Sequence, residues 1–143
     1  MNLHLSLIRQ YFDMTDSGFK PEDYRKITPY WCSRLVLVNG VKKSQKAWEN
    51  YEERHGKGSL EFIAQACIEG GTSFVKFEQN IMTLGYPSKT DESRIIRFEH
   101  AGIEIRQGNP EWGAEPNKLY FVIKHGKRIT NKPKDYPDGY GGC

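Results

Sequence analysis

Gly18-Phe19-Lys20-Pro21-Glu22-Asp23-Tyr24-Arg25, with Pro29-Tyr30-Trp31 close behind it, sets a lysine, two carboxylates and an arginine between a glycine and two large aromatics. A glycine at that place permits a positive-φ stop after a helix. Side chains that follow in strand conformation alternate faces. Asp23, Arg25 and Ile27 then share one face, and Glu22, Tyr24 and Lys26 the other. One face offers a carboxylate and a guanidinium beside an apolar residue, which is the chemistry of a small polar-ligand pocket. The same spacing also fits a salt-bridge ladder on an exposed edge strand, where ion pairs contribute little.

Upstream, Leu3-His4-Leu5-Ser6-Leu7 alternates apolar and polar and reads as a half-buried strand. Residues 8–17 suit a short helix with Ile8, Tyr11, Phe12 and Met14 on its apolar side. Downstream, residues 20–27 form the second strand. Thr28-Pro29 is a helix start, with threonine as cap and proline at the first helical position. Trp31 and Leu35 stand four apart on that helix and meet on one side. Asn39-Gly40 marks a turn. Residues 41–55 are helical and heavily charged, with Trp48 and Tyr51 on one stripe. Gly56-Lys57-Gly58 breaks this helix without the spacing of a phosphate-cradling loop. Ser59 caps a second helix with Leu60, Ile63, Ala64 and Cys67 inward, ending at Gly70-Gly71. Residues 74–84 read as one strand and 88–93 as a polar loop. Residues 95–99 and 102–105 read as one strand bent near Ala101-Gly102. Gly108-Asn109-Pro110-Glu111-Trp112-Gly113 is a loop, and residues 119–124 make the last strand.

The chain has 143 residues, a net charge of +3, 37% hydrophobic and 13% aromatic residues. That length predicts one domain with a core that needs no staples. The mild positive charge fits a nucleic-acid partner without requiring one. No run approaches a membrane span. Met1-Asn2-Leu3-His4-Leu5 lacks a basic n-region, so no signal peptide is expected. Cys32, Cys67 and Cys143 are far apart and form no Cys-x-x-Cys pair, which argues against a zinc site and for a reducing, cytoplasmic setting. His4, His55, His100 and His125 lack metal-ligand spacing, and no Gly-x-Ser-x-Gly elbow is present. Neither metal nor cofactor is expected.

The segment from Tyr11-Phe12-Asp13-Met14 through Gly18-Phe19-Lys20, then Asp23-Tyr24-Arg25 and Pro29-Tyr30-Trp31, resembles the opening of an ASCH domain. This is the activating-signal-cointegrator homology family, whose barrel is related to the PUA domains of RNA-modifying enzymes. Its signature is roughly Gly-x-Lys-x-x-Glu-x-Arg. Gly18, Lys20 and Arg25 match, and Asp23 stands where glutamate is usual. Residues 74–86, 95–104 and 112–128 resemble later strands of members found in phage and prophage genomes. Residues 36–72 and the tail lie outside the resemblance.

Periodicity alone supports an α+β chain. The resemblance implies a PUA-like mixed or antiparallel β-barrel of about five or six strands with helices packed outside. It spans 1–130, with a helical insertion at about 41–70 and a flexible tail at 131–143. The leading functional expectation is binding of RNA or a nucleotide, with Tyr24, Arg25, Tyr30, Trp31 and Arg34 stacking bases and holding phosphate. A second expectation is a small hydrolase acting on RNA or an acylated cytidine. In some family members a lysine, a threonine and a glutamate are proposed for that reaction. Lys20 matches the lysine, Asp23 stands at the threonine position, and Glu99 in Ile95-Ile96-Arg97-Phe98-Glu99 best matches the glutamate. Glu78 and Glu104 are rival carboxylates. A third expectation is a protein-interaction module acting through Trp48 and Tyr51.

Overall fold

The computed structural model describes residues 1–86 and 91–130. The expected tail from 131 onward, and part of the expected loop at 88–93, fall outside the described residues. The first strand, β1 (Leu3–Leu7), buries Leu3, Leu5 and Leu7 and turns His4 and Ser6 away, as alternation requires. Helix α1 (Arg9–Asp16) buries Phe12 and Met14. Ile8 precedes this helix and is exposed, contrary to its expected place on the apolar side. Gly18 stops the turn at φ +88°, and the Lys20 amide bonds back to the Met14 carbonyl at 3.0 Å. Strand β2 (Glu22–Lys26) then runs as far as α2 (Pro29–Leu35). Thr28 caps α2 by accepting the Trp31 amide, so the Thr-Pro start forms as read.

The chain next forms β3 (Val36–Val38) and β4 (Val41–Lys42), then α3 (Gln45–His55), α4 (Phe62–Glu69) and β5 (Thr72–Phe74). Asn39 and Gly40 between β3 and β4 both have positive φ, the geometry of a tight two-residue hairpin. Strands β6 (Gln79–Leu84), β7 (Ile95–Gln107) and β8 (Leu119–Arg128) complete the fold.

Five strands in the order β1-β6-β7-β8-β2 make one mixed sheet, which curls into a half-barrel. Only the β1/β6 pair is parallel. A separate three-stranded sheet runs β4-β3-β5. The single strand expected over 74–84 is therefore two strands in two different sheets. Its apolar run serves both: Phe74 packs with β3, whereas Asn80, Met82 and Leu84 are the inward set of β6. The bend expected in β7 is present, with register shifts between Phe98 and Ile103 and Gly102 at φ +109°.

Trp48, Leu60 and Ile63 belong to the same core cluster as Leu5, Phe12, Met82 and Phe121. The helical segment is thus part of the main core rather than an appendage. Trp48 is 4% exposed, so neither base stacking nor partner contact is open to it in this fold. Among the described residues no helix is long and apolar enough to cross a membrane.

Candidate functional site

The two edges of the half-barrel are β1 and β2, and α1 connects them in sequence. Arg25 on β2 reaches over and donates from Nη2 to the Ser6 carbonyl of β1 at 3.0 Å. A cleft lies along this seam.

At its heart Asp23 binds two cations. Lys20 Nζ is 3.2 Å from Oδ1, and Arg25 Nε is 2.6 Å from Oδ2. Lys20 and Asp23 are each 3% exposed, which rules out the exposed ladder. Burial disfavours the Asp23 carboxylate, but Arg25 and Lys20 outweigh it and hold its pKa below the ordinary value. The Lys20 ammonium sits between the rings of Tyr11 and Tyr24, 5.0 and 5.2 Å from their centroids.

The expected alternation along β2 holds. Asp23 pairs with Arg25 on one side, and on the other the Tyr24 hydroxyl donates to Glu22 at 2.6 Å. Arg106 holds the other Glu22 oxygen at 2.6 Å. Burial and this bond to Glu22 push the Tyr24 phenol up to about 12. The Asn109 amide donates to the same hydroxyl at 2.9 Å, which ties the β7–β8 loop to Tyr24. Two glycines let that loop lie close. A Cβ on Gly108 would meet the Tyr24 ring at 2.8 Å, and one on Gly113 the Tyr11 hydroxyl at 2.6 Å.

Two cavities share Ser6 and Arg25. One, of about 240 Å³, is lined by Tyr11, Lys20, Asp23, Tyr24 and Trp112. The other, of about 530 Å³, is lined by His4, Tyr30, Trp31, Arg34 and Tyr86. In the larger one two guanidinium groups lie over aromatic rings, Arg25 over Trp31 at 5.0 Å and Arg34 over Tyr30 at 4.4 Å. Among the described residues no three metal-ligating side chains come together.

The structure therefore unites Lys20, Asp23, Tyr24, Arg25, Tyr30, Trp31 and Arg34 along one cleft. Glu99 does not join them: it is exposed on β7 and lines neither cavity. Tyr11, which the sequence places on the apolar side of the first helix, lines the cleft instead, and Trp112 and Tyr86 join it from loops with no site role in the sequence reading. Their arrival depends on contacts between distant segments, which no local spacing encodes. Cys32 is fully buried, and burial followed by Glu52 pushes its thiol up to about 12, as expected of a small core residue.

Inside the sheet, the buried Asn80 amide donates to the Lys124 carbonyl at 3.1 Å and contacts His125 Nδ1 at 2.9 Å. The bond to a carbonyl fixes the amide orientation, so Nδ1 of His125 accepts and its proton lies on Nε2. Burial lowers the His125 pKa to about 4, despite Asp23 nearby. No family model, curated protein or solved structure matches the chain.

Proposed function

We propose that the seam cleft binds nucleic acid, RNA above all, or a nucleotide. The observation that carries this reading is the pair of guanidinium groups lying over aromatic rings, Arg25 over Trp31 and Arg34 over Tyr30, along one cavity wall. Arginine held over a ring offers its planar group to a base and N–H groups to phosphate, and neighbouring aromatics extend the platform. The resemblance to ASCH domains supports the same function, and with it a PUA-like relationship of the half-barrel and a cytoplasmic, phage- or prophage-linked setting.

Hydrolysis through Lys20, Asp23 and Glu99 has less support. Glu99 stands away from the cleft, and both Asp23 oxygens are engaged by cations. The test is anisotropy of a labelled single-stranded RNA at several salt concentrations, with the same mixtures inspected for cleavage. Binding should weaken as salt rises, and Arg34→Ala should flatten the log–log slope by roughly 0.7, the value for one phosphate on a single strand. Binding that ignores both salt and Arg34→Ala refutes the proposal.

A further inference from the structure

We infer that the cleft takes two consecutive nucleotides of one strand, with the linking phosphodiester at Arg25 and one base inserted beside Lys20. This rests on the nucleic-acid reading above and names its ligand more closely.

The smaller cavity, about 240 Å³, falls below the roughly 300–1,000 Å³ of pockets that enclose a whole drug-sized ligand. It suits a single ring rather than a nucleotide. The larger cavity, about 530 Å³, lies within that range. Because both are lined by Ser6 and Arg25, a ligand that fills both must pass over Arg25.

The charge there matches a linker. Lys20 and Arg25 bring two positive charges and Asp23 one negative, which leaves one in excess. A phosphodiester carries a single negative charge, whereas a terminal phosphate carries nearly two at neutral pH. Arg25 uses one N–H on Asp23 and one on Ser6, so three of the five in a guanidinium remain for phosphate oxygens.

The smaller cavity carries a charged donor. Among the described residues, one of the three Lys20 N–H bonds is engaged, by Asp23. Trp112 lines the same cavity with its ring, while its indole Nε1–H, without a partner among the described residues, is shut off from solvent and is not open to a ligand there. The Asp23 oxygens are already taken. The inserted base must therefore present acceptors; uracil, cytosine and guanine carry a carbonyl oxygen, a better partner for an ammonium than the ring nitrogens that are adenine's acceptors. In the larger cavity the 95%-exposed Tyr86 offers a ring face, and Tyr30 and Trp31 back the guanidinium groups of Arg34 and Arg25; such flat surfaces accept any base.

Tryptophan fluorescence titrations of the full chain with UMP, UpU and ApA, beside an anisotropy control with a longer single-stranded RNA, test this. UpU should bind at least about tenfold tighter than UMP, and about tenfold tighter than ApA, the range of one or two hydrogen bonds to a charged donor. Tyr86→Ala, at an exposed position, should shrink the gain of UpU over UMP. Lys20→Met leaves Asp23 short of a cation, so Lys20→Met/Asp23→Asn is measured beside it. Either variant, folded by near-ultraviolet circular dichroism, should bind UpU and ApA alike. Equal affinities for UMP and UpU would overturn the two-nucleotide site while the longer RNA still binds. Equal affinities for UpU and ApA in the natural sequence would overturn the base assignment. Failure of every RNA to bind would overturn both this inference and the reading beneath it.

Discussion

Replacing Asp23 with asparagine removes one negative charge from between two cations while changing shape very little. Lys20 is 3% exposed and keeps the aromatic faces of Tyr11 and Tyr24 and the more distant Glu22 carboxylate as partial compensation, and the side chain of Arg25 is 19% exposed. Breaking a buried pair by removing one partner costs about 3–5 kcal/mol, because the other charge stays buried and uncompensated. Solvent in the cleft reaches Arg25, so the lower half of that range, about 3–4 kcal/mol, is expected for Asp23→Asn at pH 7. Urea denaturation resolves such a loss readily against a total stability of about 5–15 kcal/mol. The pH dependence carries a sign. The Asp23 pKa is depressed in the folded state, so its contribution is complete above the ordinary value of 3.8 and disappears as pH falls through the lower folded value. The gap between wild type and Asp23→Asn should therefore close only below pH 3.8. Adding Lys20→Met should restore part of the loss, because the stranded ammonium is gone; the cycle of two singles and the double measures the coupling. A loss under about 1 kcal/mol with no coupling would mean a solvent-screened pair and would refute the buried-triad account.

His125 makes a second pH prediction. Its folded pKa of about 4 against an ordinary 6.5 means stability should fall by about 3 kcal/mol as pH drops from 6.5 toward 4, and His125→Phe should remove that slope in urea melts. His100, also lowered by burial, adds a change of the same sign. Trp48→Ala should cost about 3–5 kcal/mol, yet leave RNA affinity unchanged at temperatures where the variant is folded. Gly113→Ala and Gly18→Ala form a matched pair. Both sites have positive φ, but a Cβ at Gly18 meets nothing within 4 Å, while one at Gly113 drives into Tyr11. Gly18→Ala should cost about 1–2 kcal/mol of backbone strain, and Gly113→Ala should cost more and also weaken ligand binding by displacing Tyr11.

Much of the local structure was legible because its causes are local. Alternation placed β1, Thr28-Pro29 placed the start of α2, and Asn39-Gly40 placed a turn, though the residues after it pair as β4 where a helix from 41 is expected. The run at 74–84 reads as one strand because apolar content is the same whether a strand pairs with β3 or with β1 and β7. Glu99 matches a family strand by likeness alone, and its exposure follows from a sheet register that no short motif specifies.

The sequence by itself determined β1, the α1 stop at Gly18, the start of α2 and the alternating partners Asp23–Arg25 and Glu22–Tyr24. These depend on neighbours a few residues apart, where backbone geometry leaves little choice. Only the tertiary structure decided that Lys20 is buried between Tyr11 and Tyr24, that Trp48 belongs to the core, and that Ser6, Trp112 and Tyr86 meet Arg25 and its neighbours along one seam. Those contacts join residues up to about a hundred positions apart, and they form only when the curling of the sheet brings its two edges within reach of one guanidinium.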